Sequence, residues 1–216
     1  MKTITLTLFV LLLLNSCALK REQNKKIAFT IMDKSITENT LITLQISNNT
    51  NVNYYLPIIK SFKDQKWFFI MSNEELSFFY IPFIISNDEK DLRWKTENCF
   101  DEQIMDKEVE QLDELWKQKK INITIDDLIL LKSGKNIEIK IPINLHIKIS
   151  KYCKWDLENF NDQEQLKIAI NYNQKEKELA NKFLSFKTLD TLKKMGYELY
   201  DKGIISNKVN LILDKQ

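Results

Sequence analysis

From Asn136 to Ser150 the chain alternates without a break. Ile137, Ile139, Ile141, Ile143, Leu145, Ile147 and Ile149 are apolar, and the residues between them are polar apart from Pro142. A period of two is that of a β-strand with one covered face and one wet face, so this stretch demands a sheet. Its length, about 14 residues where five or six are usual, predicts a bend or bulge at Pro142. A proline has no N–H to give a ladder, so that point belongs on an edge or between two pairings. Ser133-Gly134-Lys135 supplies the turn that starts the strand.

The same alternation appears earlier, at Ile42, Leu44 and Ile46. The polar run Asn48-Asn49-Thr50-Asn51 follows, and then the aromatic stretch from Val52 to Pro57. This reads as strand, turn, strand. Two continuous apolar bursts, Trp67 to Met71 and Phe78 to Ile85, read as short strands covered on both faces. Aromatics in such runs are ordinary core residues, and an exposed sugar-stacking platform is the functional alternative. Asn87 to Asp91 marks a turn.

Between residues 101 and 120 the period changes. Met105, Val109, Leu112 and Trp116 fall on one helical face. Acids crowd the start of this segment and Lys117, Lys119 and Lys120 its end, which matches the sign of the helix dipole. A strand is expected over Leu166 to Tyr172, followed by a charged segment from Gln174 to Lys182. A second helix, at about 185–195, is closed by Gly196. Tyr197 to Tyr200, Asp201-Lys202-Gly203 and Ile204 to Leu213 read as a closing hairpin.

These patterns predict a mainly β, α+β fold. The strand, Asn-rich turn and aromatic strand at 42–57, together with the turn and long strand at 133–149, resemble the layout of an immunoglobulin-like antiparallel β-sandwich. Amphipathic helices would be inserted into it. The resemblance is one of architecture only, and the Cys-Trp-Cys pattern of antibody domains is absent.

The first residues have a different character. Lys2 is followed by an apolar run from Leu6 to Leu14, interrupted only by Thr7. At about half the roughly 20 residues needed to span a bilayer, the run suits an export signal better than a permanent span. It ends in Leu14-Asn15-Ser16-Cys17, which resembles the lipobox of bacterial lipoproteins: an aliphatic residue at minus three, a small one at minus one, then the cysteine. Asn15 at minus two is less usual in that family. The resemblance implies cleavage after residue 16, acylation of Cys17 by diacylglyceryl and often palmitate-type chains, and stable anchoring by two or more of them. Ala18 rather than aspartate follows the cysteine, which by analogy points to the outer membrane of the cell envelope. The richness in Lys, Ile and Asn is similar to that of Bacteroidota lipoproteins.

The expected organisation is therefore a signal peptide at 1–16, an acylated start and polar tether at 17–26, and one β-rich domain over 27–216. About 200 residues suit one domain with a sizeable core. Without Lys2, 31 of the 32 basic residues remain against 30 acids. A near-neutral chain gives no reason to expect nucleic acid. An exported chain could pair Cys99 with Cys153, and two unpaired buried thiols are the alternative.

The usual parts of a reaction centre are missing from the sequence. His146 is the single histidine, which removes the common triads and His-rich zinc sites. The glycines, Gly134, Gly196 and Gly203, are too scattered to cradle a phosphate, so no nucleotide is expected. Asp126-Asp127, Asp88 with Asp91, and the group Asp156, Glu158, Asp162 and Glu164 are the carboxylates that could serve a two-acid hydrolase. The last group fails as a calcium loop, because Phe160 stands where an oxygen ligand is required. The expectation is a non-enzymatic protein without cofactor or metal. It would meet the membrane through its lipid and an envelope protein through its body. A periplasmic inhibitor or immunity protein, and a carboxylate hydrolase, are the alternatives.

Overall fold

A computed structural model describes residues 26–37, 40–60, 72–87, 91–92, 94–95, 102–143, 154–155 and 165–213. In chain order the elements are β1 (Ile27–Ile31), β2 (Ser35–Thr37), β3 (Leu41–Asn48), β4 (Asn53–Leu56), α1 (Asn73–Phe79), β5 (Phe83–Ser86), β6 (Asp91–Leu92), β7 (Trp94–Lys95) and α2 (Glu102–Ile121). There follow a 3-10 turn (Ile125–Asp127), β8 (Ile129–Leu131), β9 (Asn136–Pro142), β10 (Lys154–Trp155), β11 (Lys167–Tyr172), α3 (Lys177–Phe183), α4 (Phe186–Lys194), β12 (Tyr197–Leu199), β13 (Ile204–Ile205) and β14 (Val209–Ile212). The fold is α+β and mainly β.

Two sheets face each other across one core. The first has the order β1-β3-β9 and the second β2-β14-β11-β5-β6, with β13 also paired to β11. Alternation delivers Ile27, Phe29 and Ile31 from β1 and Ile42, Leu44 and Ile46 from β3 into this core. There they meet Phe83 and Ile85 of β5, Ile168, Ile170 and Tyr172 of β11, and Val209 and Leu211 of β14.

A third sheet, β12-β4-β8, divides this core from a second one. Leu56, Ile129 and Leu131 enter the first core, whereas Tyr55, Leu128 and Tyr197 enter the second. The opposite face of the second core is built from the helices: Phe78 and Phe79 of α1, Trp116 of α2, Ala180 and Phe183 of α3, and Leu192 of α4. Phe79 touches both Trp116 and Phe183, with ring centroids 5.7 Å and 5.8 Å away.

The two polar turns read from the sequence hold each other. Asn48, at the end of β3, donates its side-chain amide to the carbonyls of Val52 (2.8 Å) and Leu131 (3.1 Å) and accepts from the Thr50 N–H and hydroxyl. From the facing turn, Ser133 Oγ and Gly134 N–H both donate to the Thr50 carbonyl. Gly134 has φ of +63°, a conformation that costs any residue with a Cβ about 1 kcal/mol or more.

Two expectations are corrected by these elements, and two segments gain detail. Phe78 and Phe79 end a helix rather than start a strand; the strand begins only after Pro82, at Phe83. The reason is local: Ser72 accepts from Glu75 N–H at 3.2 Å and caps α1, and this outweighs the aromatic run. The charged stretch Gln174 to Lys182 contains α3, whose apolar positions Ala180 and Phe183 enter the second core. The chain from Tyr197 to Leu213 is not a hairpin. β12 lies parallel to β4 in the small sheet, and β14 lies against β11 and parallel to β2 in the large one. The residues around Asp201-Lys202-Gly203 therefore carry the chain from one sheet to another. The strand from Asn136 runs as far as Pro142, and Ile143 N–H bonds the Thr40 carbonyl; residues 144–150, over which the alternation continues, lie outside the described residues.

Candidate functional site

An apolar groove of about 250 Å³ opens where the two cores meet, between β9 and the segments 58–60 and 79–81. Ile58, Ile59, Phe79, Ile81 and Ile129 form its floor, and Ile139, Lys140, Ile141 and Pro142 form one wall. Its position follows from the topology. β9 is the outer strand of its sheet among the described residues, and the loop leaving β4 and the one leaving α1 both pass beside it.

The polar groups at this groove are cationic or neutral. Lys60 is exposed; its Nζ donates to the Asp126 carbonyl at 3.2 Å and its N–H to the Asp127 carbonyl at 3.0 Å. Lys140 is also exposed. Tyr80 contributes a phenol that burial pushes far above its ordinary pKa, so it stays protonated. The groove can accept apolar groups of the size of one or two side chains, with lysines at its rim for an anionic or carbonyl neighbour.

Two buried polar constellations involve α1, one against α2 and one against β11. Glu75 on α1 accepts from Trp116 Nε1 at 2.9 Å and pairs with Lys120 of α2. Burial acts to raise the Glu75 carboxyl. The hydrogen bonds from Lys120 and Trp116 outweigh it and hold the group below the usual carboxylate range. Lys175 is 2 % exposed, with its Nζ donating to the Ser77 carbonyl and lying 4.6 Å from the centre of the Tyr172 ring. Burial pushes this ammonium down to about 7.

The carboxylate pair at Asp126 and Asp127 is used structurally. Asp127 accepts from the Thr124 N–H at 2.9 Å and pairs with Lys119, while Asp126 points to solvent. Burial raises the Asp127 carboxyl, but those partners outweigh it and leave it lowered. Cys17, Cys99, Cys153, His146, Asp88 and the group from Asp156 to Glu164 lie outside the described residues, and of Asp91 only the backbone is described. Among the described residues, no three His, Cys, Asp or Glu side chains gather as metal ligands, and no helix is long and apolar enough to cross a membrane.

No family model, curated protein or solved structure matches the chain. The geometry therefore speaks for itself. The alternation and the Phe78–Ile85 burst mark Ile139, Ile141, Phe79 and Ile81 as apolar strand or core positions, but Ile58-Ile59-Lys60 has no period and nothing in the sequence joins these segments into one groove. The one signal for an edge was Pro142, a proline inside an alternating strand.

Proposed function

We propose that this chain is an exported, lipid-anchored protein of the bacterial envelope whose folded body is a non-catalytic binding module. The observation that carries the reading is Leu14-Asn15-Ser16-Cys17, set directly after the apolar run Leu6 to Leu14. β1 opens at Ile27, ten residues beyond Cys17. Fully extended, such a tether reaches roughly 35 Å, which keeps the body beside the bilayer. Two or more acyl chains make that attachment stable, and the outer membrane is the membrane we favour.

Binding rather than catalysis is favoured by the character of the groove, which offers apolar surface and lysines but no paired acids. The use of Asp127 in a cap and an ion pair weighs against the two-carboxylate hydrolase. The test is mass spectrometry of the N-terminal peptide from protein isolated from its native membranes. Acyl chains on Cys17, with residues 1–16 removed, are expected. A free or disulfide-bonded sulfur at that position would overturn the anchor.

A further inference from the structure

The two edges of the sheet β1-β3-β9 are treated differently. At the β1 edge, the side-chain amide of Asn207 accepts from Ile31 N–H at 2.7 Å and donates to Ile31 carbonyl at 3.1 Å, so that edge is stitched to the opposite sheet. At the β9 edge the register shows which groups are spent. Asn48 N–H bonds the Lys135 carbonyl and Ile143 N–H bonds the Thr40 carbonyl, and the pairing between them runs without a bulge. Residues 135, 137, 139, 141 and 143 therefore turn their N–H and C=O toward β3, and Glu138 and Lys140 turn theirs outward. Among the described residues nothing pairs with these outward groups. Pro142, with no N–H to offer, shares their parity and ends the strand.

We propose that β9 is a self-complementary edge that pairs antiparallel with β9 of a second copy of this chain, about a two-fold axis at Ile139. Three features single out a second copy. First, antiparallel pairing about Ile139 sets Glu138 of each chain opposite Lys140 of the other, so two reciprocal ion pairs form on the wet face. Second, the same register places both residues in hydrogen-bonded pairs, in which each exchanges N–H and C=O with its opposite number. The parity of the free groups is thus the parity the pairing needs. Third, the half-buried Ile137 and Ile139 of the second copy come to lie opposite Ile141 and Ile139, extending the apolar surface beside the groove and covering it. The product is one continuous six-stranded sheet, β1-β3-β9 followed by β9-β3-β1, with an isologous interface. An open strand edge beside an apolar groove is otherwise a liability in water. Seven residues a side form a small interface, which places the association in the micromolar range. A shared membrane would strengthen it by raising local concentration. The pairing does not depend on Cys17.

The test is sedimentation equilibrium of the full chain carrying Cys17→Ser, in density-matched detergent with reductant, so that neither acyl chains nor cysteines join copies. A monomer–dimer equilibrium is expected, with Kd of roughly 10–100 µM. Lys140→Glu should weaken it about tenfold or more, because it sets like charges opposite each other twice. The exchange Glu138→Lys with Lys140→Glu should restore it, since reciprocity returns. Lys140→Pro, which removes an outward N–H without touching the bonds to β3, should abolish dimerisation while far-UV circular dichroism stays that of the folded protein. A chain that remains monomeric at roughly 0.5 mM overturns the proposal. So does a dimer indifferent to Lys140→Glu, or one that the double exchange fails to restore.

Discussion

Glu75 and Lys175 are both buried and both titratable, and their environments act on them in opposite senses. Glu75 lies against Trp116 and Lys120, and its folded carboxyl is held below the ordinary range. Its stabilisation is therefore complete above the unfolded pKa, about 4.3, and is lost as pH falls through the folded value. Glu75→Ala should cost about 2–4 kcal/mol at pH 7, since it strips partners from the Trp116 N–H and the Lys120 ammonium together. In urea titrations the cost should shrink at pH 3, and an undiminished difference there would place the cause in packing. For Lys175 the folded pKa is depressed to about 7. Between that value and the unfolded pKa, about 10.4, the unfolded chain binds the proton and the folded chain does not, so stability rises with pH over that window. Lys175→Met should abolish the rise. Parallel stability–pH curves for the two proteins between pH 7 and 10 would contradict the assignment.

At the scale of elements, caps decide more than composition does. Ser72 and Ser185 accept from the N–H three residues on and start α1 and α4, and α4 ends where Gly196 takes φ of +74°. Nothing lies within 4 Å of a Cβ placed there, so Gly196→Ala tests backbone strain alone. A loss of about 1 kcal/mol in thermal melts is expected. Helix α4 was legible because its stop is written in one residue, and α2 because its stripe and dipole-matched charges agree. Helix α1 carried an equally local sign in Ser72 and Glu75, but the neighbouring apolar burst masked it. Helix α3 has only seven residues, too few for a period to stand out from the charges around it.

Over the whole molecule, β4 and β8 couple the sandwich to the helical layer, because alternate residues of each enter different cores. Leu56 is fully buried in the first core while its neighbour Tyr55 is buried in the second. Leu56→Ala should cost about 2–5 kcal/mol. Hydrogen exchange under denaturant should then show β11 and α4 losing protection together. Earlier loss from α4 alone would mean that the two layers unfold separately.

The sequence alone determined the local matters: period two over β3 and β9, a helical stripe in α2, the stop at Gly196, and the lipobox-like run that suggests an anchor. These depend on residues a few positions apart, whose spacing is set by backbone geometry. Tertiary structure alone decided the partners. β2 pairs with β14 and β4 with β12 from opposite ends of the described chain, and among the described residues β9 pairs with β3 on one side only. Such choices depend on which buried faces close a common core after long loops are drawn together, and that balance of burial against chain entropy does not name the partner in any short stretch of residues.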